Sequence, residues 1–462
     1  MKGLSVLLLA ATATACTVGP TYKRPVVDLP PTFRGAPSDD AANTTAFGDQ
    51  AWWDVFEDDR LRELIDTALR QNFDLRIAAA RILEAQAQLG VTRAEQFPTV
   101  DALAQASRNR AARTVVPFAL DPFERSDLQL TVTAAWEVDF WGKYRRATEA
   151  ARAALVATEW GRRAVATSLV SQVASAYFEL RSFDLQLDIG TRALASRRET
   201  LRLTEIVARG GATSLIDVRQ AEQLVFGAAA VVADLDRQIA QQENYISVLL
   251  GLNPAAVGRG ASFEQHVHLP DVPVGLPSAL LDRRPDINQA EQRLIAANAN
   301  IGVAKAAFFP AVALTGSAGF ESSALAALLS QPAGLWSMGA ALAQPIFNAG
   351  RTRSQVAAAR AQQEEAVLIY LQTVQQSLRD VSDALVAYRQ GRLFREQLEQ
   401  LDRSAADARR LAEIRYRGGA TSFLEVLDSE TRALSAQLGL AQAELNERLA
   451  LAQIYRALGG GW

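Results

Sequence analysis

The feature that most constrains the fold of this 462-residue chain is an internal duplication. Residues 74–98 align without gaps on residues 286–310, a shift of 212 positions, and 10 of the 25 aligned positions are identical. The hexapeptide RGGATS occurs at 209–214 and again at 417–422, a shift of 208 positions. Self-similarity at a nearly constant spacing is typical of a duplicated structural unit. The chain is therefore predicted to contain two copies of one unit.

The copies are predicted at 51–250 and 284–462. Residues 251–283 lie between them and are rich in Pro and Gly, which predicts a connector. Within each copy, the hydrophobic pattern predicts a helix, two strands separated by a loop, and then long helices.

Two very long helices are predicted at 143–209 and 351–417, each 67 residues without proline. A continuous helix of that length would extend about 100 Å at 1.5 Å per residue. A compact domain does not accommodate such a helix. Apolar residues at steps of 3 and 4 predict coiled-coil packing in the second stretch. The Gly pair of each RGGATS segment ends the helix, and a second helix returns through 215–250 or 423–458.

Strands are predicted at about 98–110, 128–141, 310–321 and 335–347. Between 128 and 140 every even position is apolar, which predicts a strand with one apolar face. The neighbouring long helices leave no sequence to cover four such faces. A lipid bilayer would cover them, and strands of about 9–11 residues are long enough to span it.

Four strands are too few to close a membrane barrel, because about eight is the smallest number seen in single chains. The chain is therefore predicted to oligomerise. Two, three or four copies would give about 8, 12 or 16 strands. Trp136, Phe140 and Trp141 lie near one strand end, where an aromatic belt is expected at the membrane surface.

The N-terminus predicts secretion. Residues 1–15 combine a basic start, a short apolar run and small residues, as in a signal peptide. Cys16 follows at once and is the single cysteine, so no disulfide can form within the chain. The sequence ATAC resembles a bacterial lipobox, which predicts lipidation of Cys16; an incidental thiol is the alternative. Residues 16–50, rich in Pro, Asp and Thr, are predicted to form an extended tether.

Several longer motifs resemble the outer-membrane efflux lipoproteins, the TolC-like, NodT/OprM-type family of bacterial tripartite pumps. They are CTVGPTYKRP, WWDVFEDDRLRELIDTALRQNFDL, WEVDFWGKYRRATEAARA, LPSALLDRRPDI and RYRGGATSFLEVLD. The resemblance covers nearly all of 16–462. It departs at Thr21, where an acidic residue is expected, and at the Gly-Gly pairs, where Val-Gly is often found.

This resemblance implies a mostly α-helical fold with transmembrane β-strands. It also implies a homotrimer whose 12-stranded outer-membrane barrel continues as a long periplasmic α-helical barrel. The implied partners are outer-membrane lipid, a periplasmic membrane-fusion adaptor and an inner-membrane transporter, usually of the resistance-nodulation-division type. The implied function is an exit duct for drugs, solvents or metal ions. A residue other than Asp after the cysteine, here Thr17, implies sorting to the outer membrane.

The resemblance also identifies the helical turns as adaptor-contact tips, although simple helix termination explains the same sequence. The tip residues are Arg209, Gly210, Gly211, Ala212, Arg417, Gly418, Gly419 and Ala420.

Asp217 and Asp428 follow the two tips and are interpreted as occupying matching places. Either or both could line a periplasmic aperture, where three symmetry-related carboxylates would attract cations. A surface ion pair with a neighbouring Arg is the alternative.

No catalytic constellation, cofactor motif or nucleic-acid-binding charge pattern stands out at a net charge of −3. We therefore expect neither an enzyme nor a cofactor. His266 and His268 are the only histidines, and a lone His-x-His pair is a weak metal motif.

Two rival functions remain open from the residues. A passive porin-like channel would not need the long helices. A coiled-coil structural lipoprotein of the envelope would not need strands facing lipid.

Overall fold

The computed structural model describes residues 17–35, 58–110, 124–260 and 277–460. The signal peptide, Cys16, and both histidines lie outside the described residues. The chain divides into two compact units. The sheet unit comprises the described residues of 1–26, 81–158 and 290–370, and the hairpin unit comprises those of 27–80, 159–289 and 371–462.

The helices and strands follow the predicted duplicated order. Each of the main elements of the first repeat, from the second helix on, has a counterpart in the second. In chain order they are α1 Asp59–Gln71, α2 Phe73–Ala94, β1 Thr99–Arg110, β2 Glu124–Val138, α3 Lys143–Arg209, α4 Leu215–Leu249, α5 Pro285–Ala306, β3 Ala311–Ser322, β4 Gly334–Ala343, α6 Arg351–Arg417 and α7 Phe423–Ala457. Short helical turns occur at Pro277–Ala279, Leu280–Arg283, Leu325–Ala327 and Gln331–Ala333.

The paired elements have closely matched lengths. Helices α2 and α5 have 22 residues each, β1 and β3 have 12, α3 and α6 have 67, and α4 and α7 have 35. The duplication and the two long helices are confirmed, and the long helices begin and end where the sequence predicted. None of the helices in the described residues is long and apolar enough to cross a membrane.

The sheet unit contains one antiparallel sheet of order β1-β2-β3-β4. Its central pair, β2 and β3, joins the two repeats. The register places even-numbered residues opposite even-numbered residues in all three pairings, as in Val132 opposite Ala102 and Ala318. The predicted alternation is thereby confirmed over most of the sheet, whereas Arg108, Arg110 and Glu124 lie on the same face at one end of β1 and β2. The larger apolar side chains of this face are Val100, Leu128, Leu130, Val132, Trp136, Val138, Val312, Leu314, Phe320, Trp336, Met338 and Leu342.

The other face of the sheet is mainly polar or small. It presents side chains such as Asp101, Gln105, Thr131, Thr133 and Ser337. Most of the large apolar residues of the even face remain exposed: Trp336 keeps 77% and Met338 keeps 84% of its accessible surface. Among the described residues, nothing therefore covers these side chains of the apolar face.

Three strand ends differ from the sequence expectation, and the first is the start of β2, at Glu124 rather than 128. Strand β2 ends at Val138 rather than 141, because Phe140 N–H donates to Val138 O (2.9 Å) and Gly142, at φ +77°, turns the chain into α3. Strand β4 ends at Ala343 rather than 347, because Pro345 has no N–H to continue the ladder.

The first described residues are docked within the sheet unit rather than free as a tether would be. Val18 N–H donates to Trp141 O (3.0 Å), and Asn298 Nδ2 donates to Pro20 O (3.1 Å). Glu291 accepts from Tyr22 Oη at 2.9 Å and from Arg24. Burial disfavours the Glu291 carboxylate, but these hydrogen bonds outweigh it and lower its pKa.

In the hairpin unit, α3 returns as α4 and α6 returns as α7. The two hairpins pack together closely: Ser171 Oγ on α3 donates to Ala452 O on α7 at 3.4 Å, and Ser182 Oγ donates to Ala441 O at 3.5 Å. Tyr177, Leu180, Ile454 and other large side chains are fully buried there. The hairpin unit therefore buries large side chains between its helices, unlike the apolar face of the sheet.

Candidate functional site: the two helical tips

The first tip is the turn between α3 and α4. Ala212 N–H donates to Val207 O (3.1 Å) and Gly211 N–H donates to Ala208 O (3.0 Å), the paired bonds of a Schellman motif. Gly211 has φ +76°, the left-handed conformation that this motif requires at its C′ position. The RGGA sequence ends the helix because glycine adopts this conformation at little cost.

The second tip, between α6 and α7, repeats this geometry. Ala420 N–H donates to Arg415 O (2.8 Å), Gly419 N–H donates to Tyr416 O (3.0 Å), and Gly419 has φ +70°. A Cβ added to Gly211 or Gly419 would meet nothing within 4 Å. All eight predicted tip residues are at least partly exposed. The space beyond both turns is therefore accessible to a partner.

The helices that leave the tips begin differently. At α4, Ser214 Oγ accepts from Ile216 N–H (3.0 Å), while Asp217 Oδ2 accepts from Ser214 N–H (3.2 Å) in a capping box. At α7, Ser422 makes no side-chain cap hydrogen bond. Both acids accept from the preceding threonine, Asp217 from Thr213 Oγ1 and Glu425 from Thr421 Oγ1. Glu425 also forms an ion pair with Arg415 at 3.3 Å.

The interpretation of Asp217 and Asp428 as matching residues is wrong. Shifting Asp217 by 208 positions gives Glu425, and both acids lie three residues after the Ser that precedes the helix. Asp428 lies one turn further along α7, where it pairs with Arg432 at 2.7 Å. Glu425 is thus the residue that sequence reasoning missed, although the RGGATS spacing contained the signal.

The packing around the tips also differs. Phe423, the first residue of α7, is buried and its ring lies 5.4 Å from that of Tyr416. Ala221, Ala412, Val426 and Leu427 complete this cluster. Leu215, the first residue of α4, is 67% exposed. Only the second tip is therefore anchored in the core by the first side chain of its returning helix.

The predicted aromatic residues lie at the end of the sheet. Trp136 Nε1 donates to Gln96 O (3.0 Å), and Trp141 Nε1 donates to Pro310 O (2.8 Å). The Trp141 ring stacks on Phe309 at 4.7 Å. These indole contacts satisfy the polar edge of each ring, as an interfacial aromatic residue requires.

No metal centre emerges in the part of the chain that the structure describes, since it holds no group of three His, Cys, Asp or Glu arranged to bind a metal ion.

Comparison with known proteins identifies the family. The outer membrane efflux protein family matches residues 64–252 and 276–460, the two repeats. The chain is 37% identical to the solvent efflux pump outer membrane protein SrpC of Pseudomonas putida over 97% of this chain and 96% of SrpC. It is 32% identical to the cation efflux system protein CusC of an Escherichia coli O6:H1 strain, over 98% and 97% of the two chains.

Solved structures agree with this result. The open-state MtrE outer membrane channel of Neisseria gonorrhoeae superimposes with a TM-score of 0.87 at 32% identity, covering 96% of this chain and 98% of MtrE. The chain therefore belongs to the outer membrane efflux protein family and is an outer-membrane efflux channel protein.

Proposed function

We propose that the chain is the exit duct of a tripartite efflux system and works as a homotrimer. The observation that carries this proposal is the open sheet with a continuous apolar face. Among the described residues, β1 pairs only with β2 and β4 only with β3, so each leaves one edge without a strand partner. Unpaired backbone groups are costly in lipid. Pairing β1 of one copy with β4 of the next would remove every edge, and three copies would close a 12-stranded barrel, as the family resemblance implies.

Disulfide cross-linking tests this arrangement. Gln105 on β1 and Ser337, Gly339 or Ala341 on β4 all project to the polar face. Gln105→Cys combined in turn with a cysteine at each β4 position should give oxidised dimers and trimers on a denaturing gel. Each single variant is the matched control and should give no trimer. Monomers at every pairing would contradict the barrel.

The proposed partners are a periplasmic membrane-fusion adaptor and an inner-membrane transporter of the resistance-nodulation-division type. The exposed tips with open space beyond them support adaptor contact at Arg209–Ala212 and Arg417–Ala420. Co-purification of the full chain with an adaptor encoded beside it tests this point. A passive porin-like channel would purify without an adaptor. A structural lipoprotein would not show the change in gel migration on heating that is typical of a β-barrel.

The proposed cargo is a drug or another small toxic compound. The names of SrpC and CusC differ in cargo, solvent for one and cations for the other, although both resemble this chain along its whole length. This supports a duct that conducts without chemistry and a transporter that selects. The test expresses the chain with each candidate transporter in a host that lacks its own duct and measures which compounds the host resists. If the set of compounds changes with the transporter, the proposal is supported. If the set stays the same, the proposal is contradicted.

Lipidation of Cys16 is part of the proposal. The next residue, Thr17, lies against Gly142, so close that a Cβ on Gly142 would come within 2.5 Å of Thr17 Cγ2. A lipid on Cys16 would therefore leave the protein beside the end of β2, near Trp141. Mass spectrometry should find the acyl groups on the wild-type chain and not on Cys16→Ser. An unmodified wild-type N-terminus would refute lipidation.

For the aperture, the proposal retains Asp217 and Asp428 as lining residues. Both carboxylates have partners within the chain: Asp428, whose side chain is 59% exposed, pairs with Arg432, and Asp217 is engaged in the capping box. Asp428→Asn should reduce the preference of the reconstituted channel for cations, because a ring of three carboxylates attracts them. Glu425→Asn is the comparison variant. Unchanged ion selectivity in Asp428→Asn would show that Asp428 does not line the aperture.

A further inference from the structure

A buried carboxylate lies between the two hairpins, a few helical turns from the tips. Glu430 on α7 is only 8% exposed, and its Oε2 has no hydrogen-bond partner among the described residues. A buried carboxylate without a partner is costly when ionised. Neither a tip contact nor a lipid-facing role explains this residue.

The opposite charge comes from the other hairpin. Arg197 on α3 is 7% exposed and interacts electrostatically with Glu430, yet its Nη1 donates to Leu224 O at 3.1 Å. The guanidinium group of Arg197 is thus partly engaged in a hydrogen bond to α4. Burial lowers the pKa of Arg197, as expected for a cation removed from water. The attraction between Arg197 and Glu430 therefore connects the two hairpins while the Oε2 atom of Glu430 stays without a hydrogen bond.

Helix α6 adds further charges to the same cluster. Arg409 and Glu413 both act on Glu430, and their own ion pair is long, at 4.0 Å. Asp402, on the same helix, has a buried Oδ1 without a described partner. The groups facing Glu430 are therefore two cations, Arg197 and Arg409, and one further anion, Glu413. Two cations thus face two carboxylates within a packed helical interface, while the Oε2 atom of Glu430 has no hydrogen bond.

We propose that Glu430 is a proton-operated brace: the two hairpins pack more firmly when its carboxyl group is protonated and separate more readily when it is ionised. The brace concerns helix packing within one chain and does not rest on the proposed function. It assigns to the hairpin interface a sensitivity to pH.

The direction of this pH dependence follows from the direction in which the pKa of Glu430 moves. Burial raises the pKa of Glu430, Glu413 raises it further, and Arg197 and Arg409 oppose but do not reverse this rise. The packed state consequently binds the proton more tightly than a separated state in which Glu430 meets water. This stabilisation is fully present below the ordinary carboxyl pKa and is lost as the pH rises through the raised value.

Amide hydrogen exchange of the full chain in detergent tests the brace. Exchange around residue 430 is followed from about pH 4 to pH 8 and corrected for the intrinsic pH effect. In the wild type it should become several-fold faster as the pH rises above the ordinary carboxyl pKa. Glu430→Gln, a neutral isostere of the protonated acid, should exchange slowly and uniformly across this range.

The matched control is Asp407→Asn on α6, whose side chain is 59% exposed and pairs with Arg410 on the surface. It should retain the wild-type pH profile. A flat wild-type profile, or Glu430→Gln exchanging as fast as the wild type at about pH 8, would overturn the proposal. The wild-type measurement needs no variant, so a folding defect in Glu430→Gln would still leave a decisive result.

Discussion

The two tips carry the same hexapeptide and the same Schellman turn but have different surroundings. The first tip is held by local hydrogen bonds, since Ser214 and Asp217 form a capping box and Leu215 is exposed. The second tip is held by longer-range contacts, since Phe423 packs on Tyr416 and Glu425 pairs with Arg415. Identical turn sequences therefore specify identical backbone geometry, while stability at each tip comes from residues outside the hexapeptide.

The largest effect is expected when the glycine that both turns share is replaced. Replacing Gly211 and Gly419 together by Phe would place bulk in the open space beyond both turns. We expect trimers to remain in the outer membrane while drug efflux is lost, measured as susceptibility of the host. The Gly211→Ala, Gly419→Ala double variant carries similar strain at positive φ without the bulk, and should retain most efflux. Normal resistance in the Phe variant would exclude these turns as contact sites.

The second prediction separates the tips by burial. Phe423→Ala should destabilise the second tip by about 3–5 kcal/mol, because it removes a buried aromatic side chain. Leu215→Ala, at the equivalent exposed position, should change stability by less than about 0.5 kcal/mol. Amide exchange of the first turns of α7 and α4 measures both effects. Equal effects would mean that the tips do not differ in core anchoring.

The third prediction concerns the caps. Ser214→Ala should cost about 1 kcal/mol through loss of the capping box at α4. Ser422→Ala should cost much less, because the hydroxyl of Ser422 makes no cap hydrogen bond. Local exchange rates at the two N-termini provide the comparison. A larger loss of stability in Ser422→Ala than in Ser214→Ala would contradict the placement of the capping box at α4.

The smallest expected effect is electrostatic. Arg415→Ala should weaken the second tip by about 0.2–1 kcal/mol, because the pair with Glu425 is exposed. Screening should reduce the difference from the wild type as salt rises. The first tip, which has Val207 at the position of Arg415, is the internal reference and should show no such salt dependence.

Much of the fold could be predicted because its signals are periodic and local. Apolar residues at every second position defined the face of the sheet, and proline-free stretches ending at Gly-Gly defined α3 and α6. The strand ends at Val138 and Ala343 were less predictable, since the alternating pattern continues past the last ladder hydrogen bond. The docking of residues 17–24 was also missed, because an extended segment has no hydrophobic pattern from which its contacts could be predicted.

The candidate site was predictable only at its turns. Gly211 and Gly419 follow directly from the sequence, since a helix end at positive φ favours glycine. The relation of Asp217 to Glu425 was recoverable from the spacing but was obscured by the nearby Asp428. The burial of Glu430 could not be read from one helix, because its neighbours lie on α3 and α6 as well.

The sequence by itself determined the repeat, the lengths of the long helices, the turn at each tip and the apolar face of every strand. These depend on backbone preference and hydrophobic period, which act over a few residues. Tertiary structure decided which tip is anchored in the core and which carboxylate is removed from water. Those outcomes depend on contacts between side chains far apart in the chain, and only the packed hairpins bring those side chains together.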